Sequence, residues 1–267
     1  MNQILLQAPV FLLLFVRTFA MIRTLPLFSM RAVSRMAKIA LAGYMAFFLL
    51  GSVDFSAYNS FISADGQFSI LFLFIAIGEA LIGIIIGFYI TIIFAAFSSA
   101  GQFMAFQMGF SAASTYDSLS QVENPLMGQF FNFIAMLIFM QSQWFQRLFL
   151  GGLVSSVKSL NIITLIANRE DFVYFLLKGL SKLFSDALII ALPIMGTLLL
   201  ISVCTGLLSK AAPQMNLLSE GFPIMILVSF FLIFILIPSM SDFFLRSFEN
   251  GFFNLEKLFK ISSGGVK

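Results

Sequence analysis

Glu79 is the residue in this chain whose setting most invites chemistry. It lies in Gly78-Glu79-Ala80-Leu81-Ile82-Gly83-Ile84-Ile85-Ile86-Gly87, an acid inside an apolar run. An ionised carboxylate in hydrocarbon costs at least about 2.5–3.5 kcal/mol on insertion scales, so Glu79 must face protein or water. Two roles fit: an ion or proton site, or a structural hydrogen bond or ion pair between helices. The lack of a second intramembrane acid nearby, and of any histidine, favours the structural role. Arg17 and Arg147 are the other charges inside apolar segments. Arg147 lies near the end of its segment, where a long cationic side chain snorkels to an interface. Arg17 sits deeper, with a partner subunit as a candidate source of its counter-charge. Gly83 and Gly87 have the small-xxx-small spacing that lets two helix backbones approach closely.

The stretch from Gly101 to Ser111, GQFMAFQMGFS, mixes Phe and Met with Gln, Gly and Ser, and no charge occurs between Ala80 and Tyr116. Compliant Met side chains fill irregular gaps. Such a stretch serves either as a Met/aromatic core stripe, the reading that composition favours, or as a deformable pore closure. Cys204 is the single cysteine, which excludes an internal disulfide and a thiolate cluster; it is expected to be a small packed residue. No Walker loop, GxGxxG, HExxH or GxSxG motif occurs, so nucleotide-driven chemistry is not carried by this chain. Neither catalysis, a metal nor a cofactor is expected.

The elements that must position these residues are membrane segments. The 267 residues are 60% hydrophobic and only 10% charged, with mean hydropathy +1.02. Soluble domains carry about 25% charge, so this composition excludes a soluble globule. The formal net charge of +3 is too small to suggest nucleic acid. The apolar N-terminal run has no basic stretch before it and no small-residue cleavage site after Val16, and is expected to be a retained first helix. Six apolar segments follow from the charge-free runs: residues 1–16 continuing to 22, 39–53, 68–97, 126–154, about 172–208, and 222–240. A spanning helix needs about 20 apolar residues. By that measure the second segment is short, and the third and fifth are too long for one simple span. An all-α polytopic fold is expected, read as one membrane domain with N-terminal helices in 1–125, C-terminal helices in 126–240 and a tail in 241–267.

Cytoplasmic links hold the excess of Lys and Arg. Arg23, Arg31, Arg35 and Lys38 after the first segment place that link inside and the N-terminus outside. Simple alternation then puts the base-free link 98–125 inside and the Lys/Arg-bearing link 155–171 outside, both against the rule. A hairpin bend in segment 68–97, at Gly78, Gly83 or Gly87, repairs the pattern, because each glycine weakens a helix by about 1 kcal/mol relative to Ala. The alternative is a chain not threaded through lipid in the ordinary way. In the tail, Phe244, Phe248, Phe252, Leu255 and Phe259 form one apolar stripe. It reads equally as an interfacial helix or as a docking helix for another subunit, with Asn250-Gly251 as a possible kink.

Four blocks in chain order give the sequence a resemblance to the FliR-like family of flagellar export-gate membrane proteins, and more distantly to the T-type component of injectisomes. The first is FVRT through Leu25-Pro26-Leu27-Phe28 with the basic run to Lys38. The second is Gly78 to Gly83 with Gly87-Phe88. The third is Ala100-Gly101-Gln102 through Phe106-Gln107-Met108-Gly109-Phe110-Ser111, with Asp117. The fourth is Ala191-Leu192-Pro193, then Gly206 to Asn216 including Lys210, Pro213, Gln214 and Asn216, then Gly221-Phe222-Pro223. Ser118 stands where the family usually has Pro, no Pro occurs between Arg31 and Lys38, and a Gly-His-rich patch is replaced by Gln141-Ser142-Gln143-Trp144.

The resemblance implies an inner-membrane protein at the flagellar basal body, built of helical hairpins as a FliP-like part fused to a FliQ-like part. It would join FliP-like and FliQ-like subunits in one hetero-oligomeric gate for unfolded flagellar subunits, with FlhB-like and FlhA-like partners and energy from those partners and the proton motive force. The assembled helices would sit largely above the usual membrane plane, in contact with lipid below. The channel plug would map to residues 106–123, its closing surface including Phe106, Met108 and Phe110, with Gly109, Ser111 and Asp117 in the same stretch. A secondary transporter would instead show paired broken helices and intramembrane ion ligands, and neither is visible.

Overall fold

The computed structural model describes residues 2–29, 33–51, 70–109, 126–211 and 217–262. These residues are almost all helical and contain no strand. The order is α1 (Asn2–Thr24), α2 (Pro26–Ser29), α3 (Arg35–Leu50), α4 (Ile70–Met108), α5 (Leu126–Gln141) and α6 (Trp144–Gln146). A π-helical stretch, Arg147–Leu153, leads into α7 (Val154–Ser159), followed by α8 (Ile162–Ala167), α9 (Arg169–Ala211) and α10 (Leu217–Ser262). Ile70–Met108, Arg169–Ala211 and Gly221–Lys260 are long and apolar enough to cross a membrane, as the hydropathy requires. Short polar side chains inside the helices return their hydroxyls to their own backbone. Thr18 donates to the Leu14 carbonyl at 2.8 Å and Thr197 to the Pro193 carbonyl at 2.8 Å, so neither is left unsatisfied in an apolar setting.

The residues divide into two compact units. The first takes in Met1–Ile92, Gln143–Gly179 and Phe248–Lys267. In it α1 packs on α3, which turns Ala42, Ala46 and Leu49 inward at spacings of one helical turn. Ser34 caps α3 by accepting the Ala37 N–H at 3.2 Å, and Asn161 with Thr164 forms a capping box on α8. The α4 residues of this unit run in the same direction as α1. Glu79 meets Arg17, Gly83 lies against Arg17 and Ala20, Gly87 against Met21 and Thr24, and Thr91 donates to the Thr24 carbonyl at 2.8 Å. Gly179 of α9 lies against Tyr89, whose ring is 4.3 Å from that of Phe175.

The second unit takes in Ile93–Ser142 and Leu180–Ser247. Here α4 and α5 run antiparallel: Gly101 faces the backbone of Met127 and Gly128, Gly128 faces Ser98, and Phe94 meets Phe139 at 5.3 Å. Phe97 packs edge-on against Phe244 at 3.9 Å.

Five expectations are corrected. Segment 68–97 is not a hairpin, because α4 is one helix of 39 residues. Its glycines are contact points, and close packing offsets their weak helix propensity. The start of the 98–125 link is likewise helical as far as Met108. The fourth segment, by contrast, is interrupted at Gln143, which adopts a left-handed conformation with φ 58°. Asn250-Gly251 does not break α10, where Gly251 is buried, and the sixth segment and the tail are one helix. Cys204 is exposed rather than packed.

Gln143 is the non-glycine residue with positive φ among the described residues, a conformation that costs an L-residue about 1–2 kcal/mol. Gln143→Gly should therefore match or exceed wild type in thermal stability of the detergent-solubilised protein, while the β-branched Gln143→Val should lose about 1–2 kcal/mol. Equal melting of the two variants would mean that this turn is not strained.

Candidate functional site

Arg17 is 1% exposed and Glu79 1%. The Arg17 Nε donates to Glu79 Oε2 at 2.5 Å. One terminal nitrogen, Nη2, donates to the Leu160 carbonyl at 2.8 Å, and Nη1 reaches Ser156 Oγ at 3.4 Å. The guanidinium therefore spreads its N–H groups over three acceptors in this unit, on α4, on α7 and on the residue that follows α7. The Leu160 carbonyl lies just past the end of α7, where helical carbonyls run out of intrahelical partners. Ser156 is itself fixed, donating to the Leu153 carbonyl at 2.7 Å.

This cluster depends on the glycines around it. A Cβ at Gly83 would overlap the Arg17 carbonyl, one at Gly87 would overlap Thr24, and one at Gly78 would overlap the Ile162 side chain. With Gly83 and Gly87 bare, α4 comes close enough to α1 for the short ion pair. The counter-charge of Arg17 thus comes from this chain, correcting the expectation of a partner subunit. The arrangement is a satisfied interhelix pair and has the geometry of a structural fastener.

The end of α4 brings together two of the sequence blocks. Phe106 is 72% exposed, whereas Met108 is fully buried in its unit. Gly109 ends the helix with φ +85°, its N–H donating to the Phe106 carbonyl at 3.2 Å. A side chain there would be strained, and its Cβ would overlap the ring of Phe222. The plug candidate Gly109 therefore touches the Gly221-Phe222-Pro223 block. Gly221 is buried and Pro223 exposed near the start of α10, and Lys210 is exposed at the end of α9. Phe110, Ser111, Asp117, Pro213, Gln214 and Asn216 lie outside the described residues, as does Arg31.

Three features went unread in the sequence. Lys182 donates to Asp186 Oδ2 at 2.5 Å and Ser247 donates to the same oxygen at 2.8 Å; the i,i+4 spacing of Lys182 and Asp186 was the available signal. Lys38 is buried in the first turn of α3. Arg147 lies over the Trp144 ring, 4.6 Å from its centroid, so an aromatic face holds its exposed head.

The profile of the bacterial export proteins, family 1, matches residues 8–251. The chain is 32% identical over 237 residues to the flagellar biosynthetic protein FliR of Bacillus subtilis, covering 88% of each chain. It is 30% identical over 271 residues to FliR of Borreliella burgdorferi, covering 100% of this chain and 97% of the relative. It is also 32% identical over 166 residues to the surface presentation of antigens protein SpaR of Shigella sonnei, covering 61% of this chain and 62% of the relative.

Removing one member of a buried pair leaves an uncompensated charge, at a cost of about 3–5 kcal/mol, while removing both can be nearly neutral. Arg17→Met is therefore expected to destabilise the detergent-solubilised protein severely, and Arg17→Met with Glu79→Met to recover much of the loss. A double-mutant cycle on thermal unfolding measures the coupling. Additive single effects would contradict the pairing. Gly83→Ala should be destabilising with both charges intact.

Proposed function

The chain belongs to the bacterial export proteins, family 1, and we propose that it is a component of the flagellar type III export gate in the inner membrane at the basal body. The observation that carries this reading is that flagellar relatives align over 85–100% of the chain in the first four cases, with the four blocks in order. The three long apolar helices support a membrane location, and the role is structural and conducting. The partners are FliP-like and FliQ-like subunits in one hetero-oligomeric gate, with FlhB-like and FlhA-like proteins supplying energy coupling, and the cargo is unfolded flagellar subunits. Use in an injectisome is the second reading. The SpaR similarity favours it, but over a smaller part of the chain.

In this reading α4 delivers the plug to the channel. Phe106 and Phe110 supply large apolar surface, which closes a narrow passage by excluding water. Met108, buried at the root, anchors the helix end, and Gly109 makes the turn beneath Phe222. Residues 111–124, with Ser111 and Asp117, are mainly polar and bring little apolar area to hold them, so a passing chain displaces them at low cost. The sequence block of Lys210, Pro213, Gln214 and Asn216 leads to the Gly221–Pro223 block that buttresses this root. Arg17, Glu79, Gly83 and Gly87 hold the scaffold from which α4 projects.

Deleting residues 111–120 should leave the assembled complex intact and make the resting gate leaky to ions. Conductance and complex recovery are measured together: an assembled complex as tight as wild type contradicts the plug, and loss of assembly assigns the segment to core packing. Gly109→Ala, which strains the backbone and crowds Phe222, should raise leak and lower export, read as ion conductance and swimming in soft agar. Wild-type leak and motility in that variant would remove Gly109 from the closure.

A further inference from the structure

The first unit carries a groove of about 580 Å³ that neither the ion-pair scaffold nor the plug uses. One wall is α6 and the π-helical stretch, with Trp144 and Arg147. The other is the late part of α10, with Glu249, Phe252, Phe253 and Glu256. Trp144 and Phe252 pack at 4.8 Å as its floor, and Phe253 is 67% exposed. Neither Arg147, Glu249 nor Glu256 belongs to an ion pair among the described residues, where Arg17 pairs with Glu79 and Lys182 with Asp186. Arg147 therefore has no carboxylate partner there, and Glu249 and Glu256 have no cation. The two glutamates are seven residues apart, two turns of helix, and so share one face of α10. The groove thus offers an unpaired cation and unpaired carboxylates over an aromatic floor.

That pattern is complementary to a zwitterion with an apolar body. The position in sequence fits the membrane boundary: beyond the apolar run 222–240, α10 turns amphipathic from Phe244, and Glu249 and Glu256 lie on that part. Trp and Arg are characteristic of that boundary. We propose that this groove binds the headgroup of a zwitterionic phospholipid bearing a primary ammonium, phosphatidylethanolamine. Arg147 takes the phosphate as a charge-assisted hydrogen-bond donor, Glu249 and Glu256 take the ammonium, and Phe252 and Phe253 line the path of the glycerol and acyl chains. A trimethylated ammonium lacks N–H donors for the carboxylates, and a glycerol headgroup lacks the cation, so the site discriminates between headgroups. A basic protein segment is the competing occupant. It would use the glutamates but be repelled by Arg147.

The test places a benzophenone side chain at Phe253 in the full-length protein within its assembled complex. The complex is reconstituted in bilayers of equal parts phosphatidylethanolamine, phosphatidylcholine and phosphatidylglycerol. Irradiation followed by mass spectrometry of the adducts should find phosphatidylethanolamine at least about threefold over each of the other two. The excess should disappear both in Glu249→Gln/Glu256→Gln and in Arg147→Gln. Adducts in equal proportion overturn the proposal, as does a protein adduct from the same position in intact cells whose yield rises in Arg147→Gln. The wild-type headgroup ratio decides without any variant, so a misfolded mutant does not leave the matter open. An export defect in the plug variants is a separate readout and does not bear on this site.

Discussion

A guanidinium and a carboxylate that cannot be left to lipid set the terms for one whole unit of this protein. Arg17 and Glu79 sit in helices whose other side chains are almost all apolar, and each alone would be prohibitively costly in hydrocarbon. The solution is complete internal satisfaction: a direct ion pair, a serine hydroxyl and a carbonyl just past the end of α7. The geometry of that solution demands the rest. Two helix backbones must approach closely, so Gly83 and Gly87 face α1. The chain after α7 must present its free carbonyl inward, which fixes where α8 begins and why Gly78 has no side chain against Ile162. A pair of this kind is weak in net stability but strongly penalises the wrong register, which suits a scaffold assembled in a membrane, where apolar contacts alone discriminate poorly between helix registers.

The same economy appears at the end of α4. The helix continues well past the last strongly apolar residues and stops at Gly109, whose positive φ and contact with Phe222 turn the chain. Phe106 is left exposed one turn before the end while Met108 is buried. One face of the last turn is thus bound to its unit and the other presents an aromatic ring. This division suits the closure proposed for this end of α4. A carrier of the secondary-transporter kind would need an intramembrane acid free to exchange an ion, and Glu79 is committed to Arg17.

Much of this was legible in the sequence. The hydropathy gave an all-helical membrane fold, and the rarity of buried acids marked Glu79 as a residue that must be satisfied by protein. What failed did so for identifiable reasons. The glycines of α4 read as breakers because propensity counts their cost and not the close packing that they permit. The interruption at Gln143 was invisible because glutamine carries no turn signal. The break expected at Asn250-Gly251 does not occur: α10 is continuous there, with Gly251 buried beside the packed Phe248, Phe252 and Leu255. Arg17 and Glu79 lie 62 residues apart, and nothing in a single sequence joins them. The contact of Gly109 with Phe222 was equally hidden, although both residues belonged to blocks already singled out.

The central claim is that α4 ends in the closure of a protein-conducting channel, and the most direct measurement is contact with cargo in transit. An export substrate carrying a folded C-terminal domain is stalled in the gate in living cells, and photo-crosslinkers are placed at Phe106 on the last turn of α4 and, as a control, at Phe47 on the exposed face of α3. The account predicts adducts with the stalled substrate from position 106, dependent on a functional export signal, and none from position 47. Adducts absent from position 106 while the substrate is demonstrably stalled, or equal from both positions, would contradict it.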